Sequence, residues 1–508
     1  MSLVTAARPR TAGTEPPEGF RALFRFEARR LLRSPLLWGA AALCLGLRLY
    51  TAWEWLPDLS TDPVSMSGSM LLLAAAAMLA ANLAVSRDRR GGMPEALGAL
   101  PGRAARRTGA ATGAAVTAGT GIAALVMAAY LAVRLATGPA AGVFDPYEAL
   151  AGVLAVPFAA ALGALLGRWA PALAAVPVTA FLLAFLTFLN THQSGYGDWF
   201  LPVVLFHGPD WPARPSGLHV VYLVAAVALF AAVALLRHGA RPVRVVAALA
   251  AAAVAVPAGA VASARAPGAE IQEWRTVVSG RVISSANAPA WVREHYVGPH
   301  TRTCEKHGSL TYCAFPGYEP WIPLWSAAVG PVAEALPPAE RTGLPTVRQY
   351  TDSWTMHEEH DERSIGTFMA WGRARDAHRG VLASHLVDRV TGLRPPGPEG
   401  CDARGQARTV VALWLLGQTV PPEPAREREI LLGDSHLTRQ LSPLGMVRYG
   451  AAELGYARRL LASPQARERI WAHWDALLKP GTTVEQALPL LGLRPEFPAE
   501  PVEGQPCS

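Results

Sequence analysis

The sequence predicts a membrane domain of about seven transmembrane helices followed by a soluble α+β domain. Of its 508 residues, 51% are hydrophobic, and they are unevenly distributed. Long runs of Ala, Leu and Val with few charges fill residues 34–264, whereas residues 265–508 mix charges with many prolines. The net charge of +7 comes almost wholly from arginine, since Lys306 and Lys479 are the only lysines. These arginines form no stripe interleaved with aromatic residues, so no nucleic-acid partner is indicated.

Seven apolar stretches are long enough to cross a bilayer, which takes about 20 residues of helix. Any single Ala-rich stretch could instead be a core helix of a soluble protein, but not all seven together. The last stretch has the weakest pattern because it contains Pro257. The first begins after an arginine-rich leader with no cleavage site, so we expect it to be retained as an anchor. The predicted spans lie near residues 35–54, 67–86, 110–136, 149–167, 170–190, 218–237 and 243–264.

Basic residues alternate between the predicted loops, and this alternation predicts orientation, because short basic loops stay cytoplasmic. Arginines cluster in the leader (1–33), after span two, after span four and after span six. Two of the intervening loops, 53–66 and 138–148, carry Asp58, Asp62, Asp145 and Glu148 and have no Arg or Lys. The N-terminus is therefore predicted to be cytoplasmic. An odd number of spans then places residues 265–508 outside the cytoplasm.

The leader has the pattern of an amphipathic helix lying in the membrane interface. Apolar residues such as Phe20 and Phe24 repeat every three to four positions, with charged residues between them. The alternative is a cytosolic extension of span one, although Pro35 favours a break at Ser34. The charged positions of this predicted interfacial helix are Arg25, Glu27, Arg29, Arg30 and Arg33.

The loop after span two, residues 86–107, reads SRDRRGGMPEALGALPGRAARR. Two basic clusters flank a short helix that begins at Pro94, and such a helix could present a rigid contact to a cytosolic partner. The alternative is a solvated loop whose arginines anchor the adjacent spans.

Three segments, FRALFRFEARRLLRSPLLW, RDRRGGMPEALGALPGRAARR and ALGALLGRWAP, together resemble the permease subunits of type-2 ABC exporters. The resemblance covers about residues 20–240. It implies that the interfacial helix precedes span one, that permeases pair as homo- or heterodimers, and that a separate ATPase subunit binds ATP. The chain departs from the family in its seventh span and its large external domain. The resemblance also implies that the loop after span two docks on the ATPase through Arg87, Arg89, Arg90, Pro94, Glu95, Leu97 and Leu100.

This chain has no G-x-x-x-x-G-K-[ST] segment, so ATP hydrolysis is expected on a partner, with neither enzymatic activity nor a cofactor in this chain. The spans also lack the row of carboxylates that ion-driven carriers commonly use. Arg48, Glu54 and Arg134 lie near predicted outer ends of spans, where long side chains can snorkel to the interface.

In the external half, TRTCEKHGSLTYCAF predicts a β-hairpin with a two-residue Gly308-Ser309 turn. Counting outward from the turn places Cys304 opposite Cys313 at a non-hydrogen-bonded position, where a disulfide can form. A disulfide agrees with an extracytoplasmic location. Cys401 and Cys507 could form a second bridge, but their spacing supplies no geometry.

Two short strands are predicted at 274–278 and 281–283, and helical spacing follows at 321–336, 365–393, 407–418 and 444–461. The segment MHEEHDERS places His357 and His360 three apart, one residue short of the zinc-peptidase spacing, so a solvated turn is the alternative to a metal site. Ser435 beside His436 is better explained as a helix cap than as a nucleophile and its base. A membrane-anchored binding or sensing protein, and a degenerate zinc-peptidase-like hydrolase, are the alternatives to a permease.

Overall fold

The computed structural model describes residues 17–92, 104–172, 174–192, 201–203, 215–264, 290, 301–350, 363–367, 370–373, 375–395, 399–431 and 437–507.

The first half of the chain is helical. A surface helix comes first, and each of the seven predicted spans then has a helix at its position. The N-terminal set comprises α1 (Pro17–Leu32), α2 (Pro35–Ala52), α3 (Asp62–Val85) and α4 (Ala104–Leu135). The remaining helices of this half are α5 (Pro146–Trp169), α6 (Ala175–His192), α7 (Ser216–Leu236) and α8 (Pro242–Ala264).

Among the described residues, six helices are long and apolar enough to cross a membrane: α2, α3, α4, α5, α7 and α8. The chain is therefore a multi-pass membrane protein by this measure. The fifth predicted span contains only a shorter apolar stretch, Ala175–Phe188. The helix expected to be weakest, α8, instead continues through Pro257. The predicted break between α1 and α2 is confirmed, since Ser34 has extended backbone and Pro35 opens α2.

Close contact between α3 and α5 forms the centre of the bundle. A Cβ atom at Gly163 would lie 2.1 Å from the carbonyl oxygen of Met78, and one at Gly152 would lie 2.0 Å from the hydroxyl of Ser67. Small residues of this kind let helix backbones approach, which is how helices gain contact in lipid. Around this pair, α2 and α4 pack on α3, α7 packs on α5, and α8 packs on α7.

The second half is an α+β domain with one large hydrophobic core. Strands β1 (Thr303–His307), β2 (Leu310–Ala314), β3 (Thr346–Gln349) and β4 (Ser364–Thr367) form a sheet in that order. The β1–β2 pair is antiparallel, and the other two pairs are parallel. Two small pairs add β5 (Cys401–Asp402) with β8 (Val447–Arg448) and β6 (Arg428–Leu431) with β7 (Leu437–Gln440). The helices are α9 (Ile322–Ala335), α10 (Arg375–Thr391), α11 (Ala407–Leu416), α12 (Ala451–Ala462), α13 (Ala466–Ala472), α14 (Trp474–Leu478) and α15 (Val484–Leu491).

The predicted hairpin is confirmed residue by residue. His307 pairs with Leu310 and Cys304 pairs with Cys313. Gly308 has φ +63°, a value that the first position of such a turn requires. The Cys304–Cys313 disulfide is formed, with the Cα atoms 4.1 Å apart. A second disulfide joins Cys401 to Cys507 and so ties the C-terminal tail to β5.

Two of the predicted helices in this half were too long. Residues 364–367 form β4, which pairs with β3, and α10 begins only at Arg375. Likewise, Val447–Arg448 pairs with β5, and α12 begins at Ala451. In both places a short parallel strand precedes the helix, and a run that short cannot be told from helix by periodicity. The strands expected at 274–278 and 281–283 lie outside the described residues.

Candidate functional site

The helix bundle has two polar ends, and each gathers predicted site residues. We call one the arginine end; it contains Arg87–Arg90, Arg168 and the link between α7 and α8. We call the other the domain end; it consists of the loops at 53–61 and 136–145. These two loops contact each other through the pairing of Asp58 with Ala141.

At the arginine end, α1 lies along α4. The Phe24 ring lies against Gly113, where an added Cβ would be 3.5 Å from it, and Leu31 is buried in the bundle core. The charged face of α1 is therefore turned away from the bundle, and its positions Arg25, Arg29, Arg30 and Arg33 are exposed. The position of this helix in the membrane interface stays a prediction.

Glu27 is the exception among the charged positions of α1, because it turns toward the end of α3. Both Glu27 carboxylate oxygens accept hydrogen bonds from the Arg87 guanidinium, at 3.1 and 3.0 Å. Paired bonds of this kind fix orientation as well as distance. Arg87 opens a single helical turn, Arg87–Arg90, so α1 holds the start of the loop after span two.

Two further contacts close the arginine end. Arg168 at the end of α5 donates to Asp88 at 3.5 Å, and Thr108 of α4 contacts His238 after α7 at 2.8 Å. Arg89 and Arg90 are exposed beside this cluster. Of the predicted docking residues, Arg87, Arg89 and Arg90 thus share one surface. Pro94, Glu95, Leu97 and Leu100 lie outside the described residues.

At the domain end, a buried ionic network joins α2, α3 and α4. The Nε of Arg134 donates to Asp62 at 2.9 Å, and its two terminal nitrogens donate to backbone carbonyls. Tyr130 donates to the other Asp62 oxygen at 2.7 Å, and Arg48 donates to the Tyr130 oxygen at 3.3 Å. The carbonyls that accept from Arg134 are those of Ala52, Trp55 and Leu56.

The snorkelling prediction is wrong for Arg134. Its side chain is only 4% exposed, and its partner Asp62 is 3% exposed. A buried guanidinium is tolerated here because a carboxylate neutralises it and carbonyl oxygens satisfy its remaining donors. Sequence reasoning missed the pair, although an Asp at the start of one span and an Arg at the end of the next are a detectable signal.

The α+β domain is attached to the domain end by hydrogen bonds from both loops. The Tyr318 hydroxyl donates to Asp58 at 2.7 Å, and the Gly142 amide donates to the Gly317 carbonyl at 2.7 Å. The Trp321 indole donates to the Pro139 carbonyl at 3.0 Å. We call the contacts of the 53–61 and 136–145 loops with the α+β domain the junction.

The 53–61 loop also pairs with a segment of the α+β domain before α10. The Leu56 amide donates to the Trp371 carbonyl at 2.8 Å, and the Arg373 guanidinium lies 4.5 Å from the centroid of the Trp53 ring. Leu56 and Ala141 belong to the hydrophobic core of the α+β domain itself. The bundle loops are therefore part of that domain's core rather than a surface that it touches.

Asp58 and His378 are buried titratable side chains at the junction. Burial raises the pKa of Asp58 to about 7, and the nearby Asp62 charge acts in the same direction, while hydrogen bonds from Tyr318 and Ser60 oppose the shift. His378 packs between the rings of Trp55 and Trp371. Burial lowers its pKa to about 4, so it is neutral near pH 7.

The remaining candidate sites are not tested by the described residues. Within the described part of the chain, no group of three or more His, Cys, Asp or Glu side chains is placed to hold a metal ion. His357 and His360 lie outside the described residues, as do Ser435 and His436.

Nothing matches this chain among protein-family models, curated proteins or solved structures. The resemblance to type-2 ABC permeases therefore rests on the three sequence segments alone.

Proposed function

We propose that this chain is the membrane subunit of an ABC-type exporter and works with a separate ATPase chain. The observation that carries the proposal is the bidentate Glu27–Arg87 pair, which holds an interfacial helix against the start of the loop expected to meet the ATPase. In this proposal the ATPase moves the membrane helices through the loop after α3, so that loop has to be held firmly against the bundle. The arginine end is stiffened by α1 on one side and by the Asp88–Arg168 contact on the other.

The path of the chain supports seven crossings in this proposal. Arg168, at the end of α5, contacts Asp88 at the arginine end, whereas Ser216, at the start of α7, donates to Asp145 at the domain end. The chain therefore passes from one end of the bundle to the other between α5 and α7. We assign this passage to α6, whose apolar stretch is the shortest of the seven. A seventh crossing by α8 then returns the chain to the domain end.

The proposed orientation places the arginine end in the cytoplasm, where basic loops are retained. The α+β domain then lies outside the cytoplasm, where its two disulfides are stable. The ATPase would bind from the opposite side, at Arg89 and Arg90. Pairing of two such permeases, identical or different, belongs to the same proposal.

The test is co-purification of the tagged full chain with a co-expressed ATPase chain that contains a phosphate-binding loop, encoded in the neighbouring reading frame. We expect the double variant Arg89→Glu/Arg90→Glu to lose the ATPase from the complex, because two attractive charges become repulsive at one surface. The matched control is Arg25→Glu/Arg241→Glu, which reverses two exposed arginines of the same end outside the loop. Equal recovery of the ATPase with both double variants would contradict the proposal.

The junction favours a second candidate, a sensor whose external domain reports a bound ligand through the spans. Leu56 and Ala141 lie in the core of that domain, so a change there reaches α2, α3 and α4 directly. This candidate needs no ATPase. The sensor is favoured if an added small molecule raises the unfolding temperature of the full chain while a co-expressed ATPase does not co-purify with the chain.

A further inference from the structure

The hydrogen bond from Tyr318 to Asp58 joins side chains across the junction and continues into the membrane bundle. Asp58 sits in the loop between α2 and α3, and its own amide donates to the Asp62 carboxylate at 3.2 Å. Asp62 in turn accepts from Arg134 and Tyr130 of α4. A continuous chain of hydrogen bonds thus runs from the external domain to three spans.

The close packing around Asp58 leaves little room for adjustment. A Cβ atom at Gly142 would lie 2.5 Å from an Asp58 carboxylate oxygen and 2.8 Å from the Ser60 amide nitrogen. Gly142 has φ +85°, a value that side chains rarely adopt, and Gly317 on the other side of the junction has φ +85° as well. The Gly317 backbone therefore meets the Gly142 backbone, which itself lies against the Asp58 carboxyl. Such an interface separates or stays closed rather than deforming gradually.

We propose that Tyr318 and Asp58 form a proton-sensitive latch that fastens the external domain to the outer ends of α2, α3 and α4. With the latch closed, the domain and these helix ends move as one body. With the latch open, the domain can tilt away while the Asp62–Arg134 pair keeps the helix ends together. This role is independent of the proposed function, because it requires no ATPase at the arginine end.

The charges facing Asp58 give the direction of the pH effect. From its own loop, Asp58 faces the Ser60 amide and the Thr61 side chain; from α3 it faces Asp62; and from the external domain it faces Tyr318. Arg134, Tyr130 and Arg48 lie beyond Asp62 and bind that carboxylate rather than Asp58. Ionised Asp58 is thus a second buried negative charge beside Asp62, and no cation pairs with it among the residues that the structure describes.

The sign of the linkage follows from the raised pKa of Asp58, about 7 in the closed latch against an ordinary value of 3.8. A carboxyl whose pKa is raised by docking binds its proton more tightly when docked, so protonation favours the closed latch. Closure is strongest at acid pH and weakens as the pH rises toward 7. Above that pH, the carboxyl is ionised in both states, and the dependence levels off.

Hydrogen exchange of two backbone amides measures latch opening directly. The Leu56 amide donates to the Trp371 carbonyl and the Gly142 amide donates to the Gly317 carbonyl, so both amides are released when the domain separates. The full chain, purified in detergent, is exchanged at several pH values, and the rates are corrected for the intrinsic pH dependence of exchange. Peptides covering 54–62 and 138–146 report the junction, and peptides from α3 and α5 report the bundle.

In the wild-type chain we expect protection of the junction peptides to fall by up to about tenfold for each pH unit between about pH 5 and 7. Asp58→Asn should keep the protection at neutral pH and lose its pH dependence, since a neutral amide resembles the protonated acid. Tyr318→Phe should speed junction exchange by about tenfold, because Asp58 loses a buried donor. Tyr147→Phe, at an exposed tyrosine of the same end, should change nothing.

Two results would overturn the latch: unchanged junction exchange in Tyr318→Phe, or a wild-type pH profile in Asp58→Asn. If Tyr318→Phe also speeds exchange in α3 and α5, the variant has disturbed the whole fold, and the pH profile of Asp58→Asn then decides alone.

Discussion

The two ends of the bundle both contain an arginine–carboxylate pair, but the pairs differ in their surroundings. At the domain end, Arg134 and Asp62 are 4% and 3% exposed. At the arginine end, Arg87 is 42% exposed and Glu27 is 12% exposed. A buried pair cannot lose one member without leaving a charge in an apolar environment, whereas water can replace a partner at the surface. The pair at the domain end is therefore expected to contribute more to stability than the pair at the arginine end.

The largest expected effect comes from removing the buried cation. Arg134→Met removes the guanidinium that pairs with the buried Asp62 carboxylate and that donates to three carbonyls, and the expected loss of stability is about 3–5 kcal/mol. Thermal unfolding of the purified full chain in detergent measures it. Arg241→Met, at an exposed arginine of the other end, serves as the control. Equal unfolding temperatures for Arg134→Met and Arg241→Met would contradict the larger contribution to stability that we assign to the domain end.

The next effect concerns covalent links, which among the described residues occur only in the α+β domain. Cys401–Cys507 encloses a sequence separation of 106 residues and Cys304–Cys313 one of 9. On the chain-entropy model the longer loop is worth about 4.7 kcal/mol and the shorter about 2.7 kcal/mol, although native strain commonly reduces the measured value. Cys507→Ser should therefore lower the unfolding temperature more than Cys304→Ser.

Cys507→Ser and Cys304→Ser also sharpen the comparison of the two ends of the bundle. Each variant should destabilise the α+β domain, while the rate of protease cleavage at the arginine end stays as in the wild type. A larger effect of Cys304→Ser would show that the short hairpin, and not the tail, limits the stability of the domain.

The smallest effect is expected at the arginine end. Glu27→Gln weakens the contact with Arg87, and because Arg87 is largely exposed, the expected cost is at most about 1 kcal/mol. The difference from the wild type should shrink further in high salt, since ions screen exposed charges. Thermal unfolding with and without added salt measures both. A salt-independent loss as large as that of Arg134→Met would mean that the Glu27–Arg87 pair is buried in the working protein.

Much of this architecture follows from local sequence. The helices begin and end within a few residues of most predicted spans, and the Cys304–Cys313 register is confirmed. Lipid leaves a backbone few ways to satisfy its hydrogen bonds, and a two-residue turn fixes which residues face each other. These constraints act over short stretches of chain, so the sequence shows them directly.

The site residues divide in the same way. Arg87, Arg89 and Arg90 could be selected from a local cluster of charge. The partner of Arg87 could not, because Glu27 lies 60 residues away on another helix. Arg134 was misjudged for the same reason, since the chain had to fold before Asp62 and three carbonyls surrounded it. The helix expected over 365–393 was predicted to begin too early because β3 pairs with residues 364–367, and local periodicity contains no information on that pairing.

The sequence by itself determined that this protein has a helical membrane half, a soluble α+β half and a disulfide hairpin, because hydrophobic length and turn geometry are local properties. Only the tertiary structure decided that the two halves share a core. The bond between Asp58 and Tyr318 joins residues 260 positions apart. A contact of that kind exists only when the loops of the bundle and the sheet of the domain have each folded and met, and no pattern within either segment specifies it.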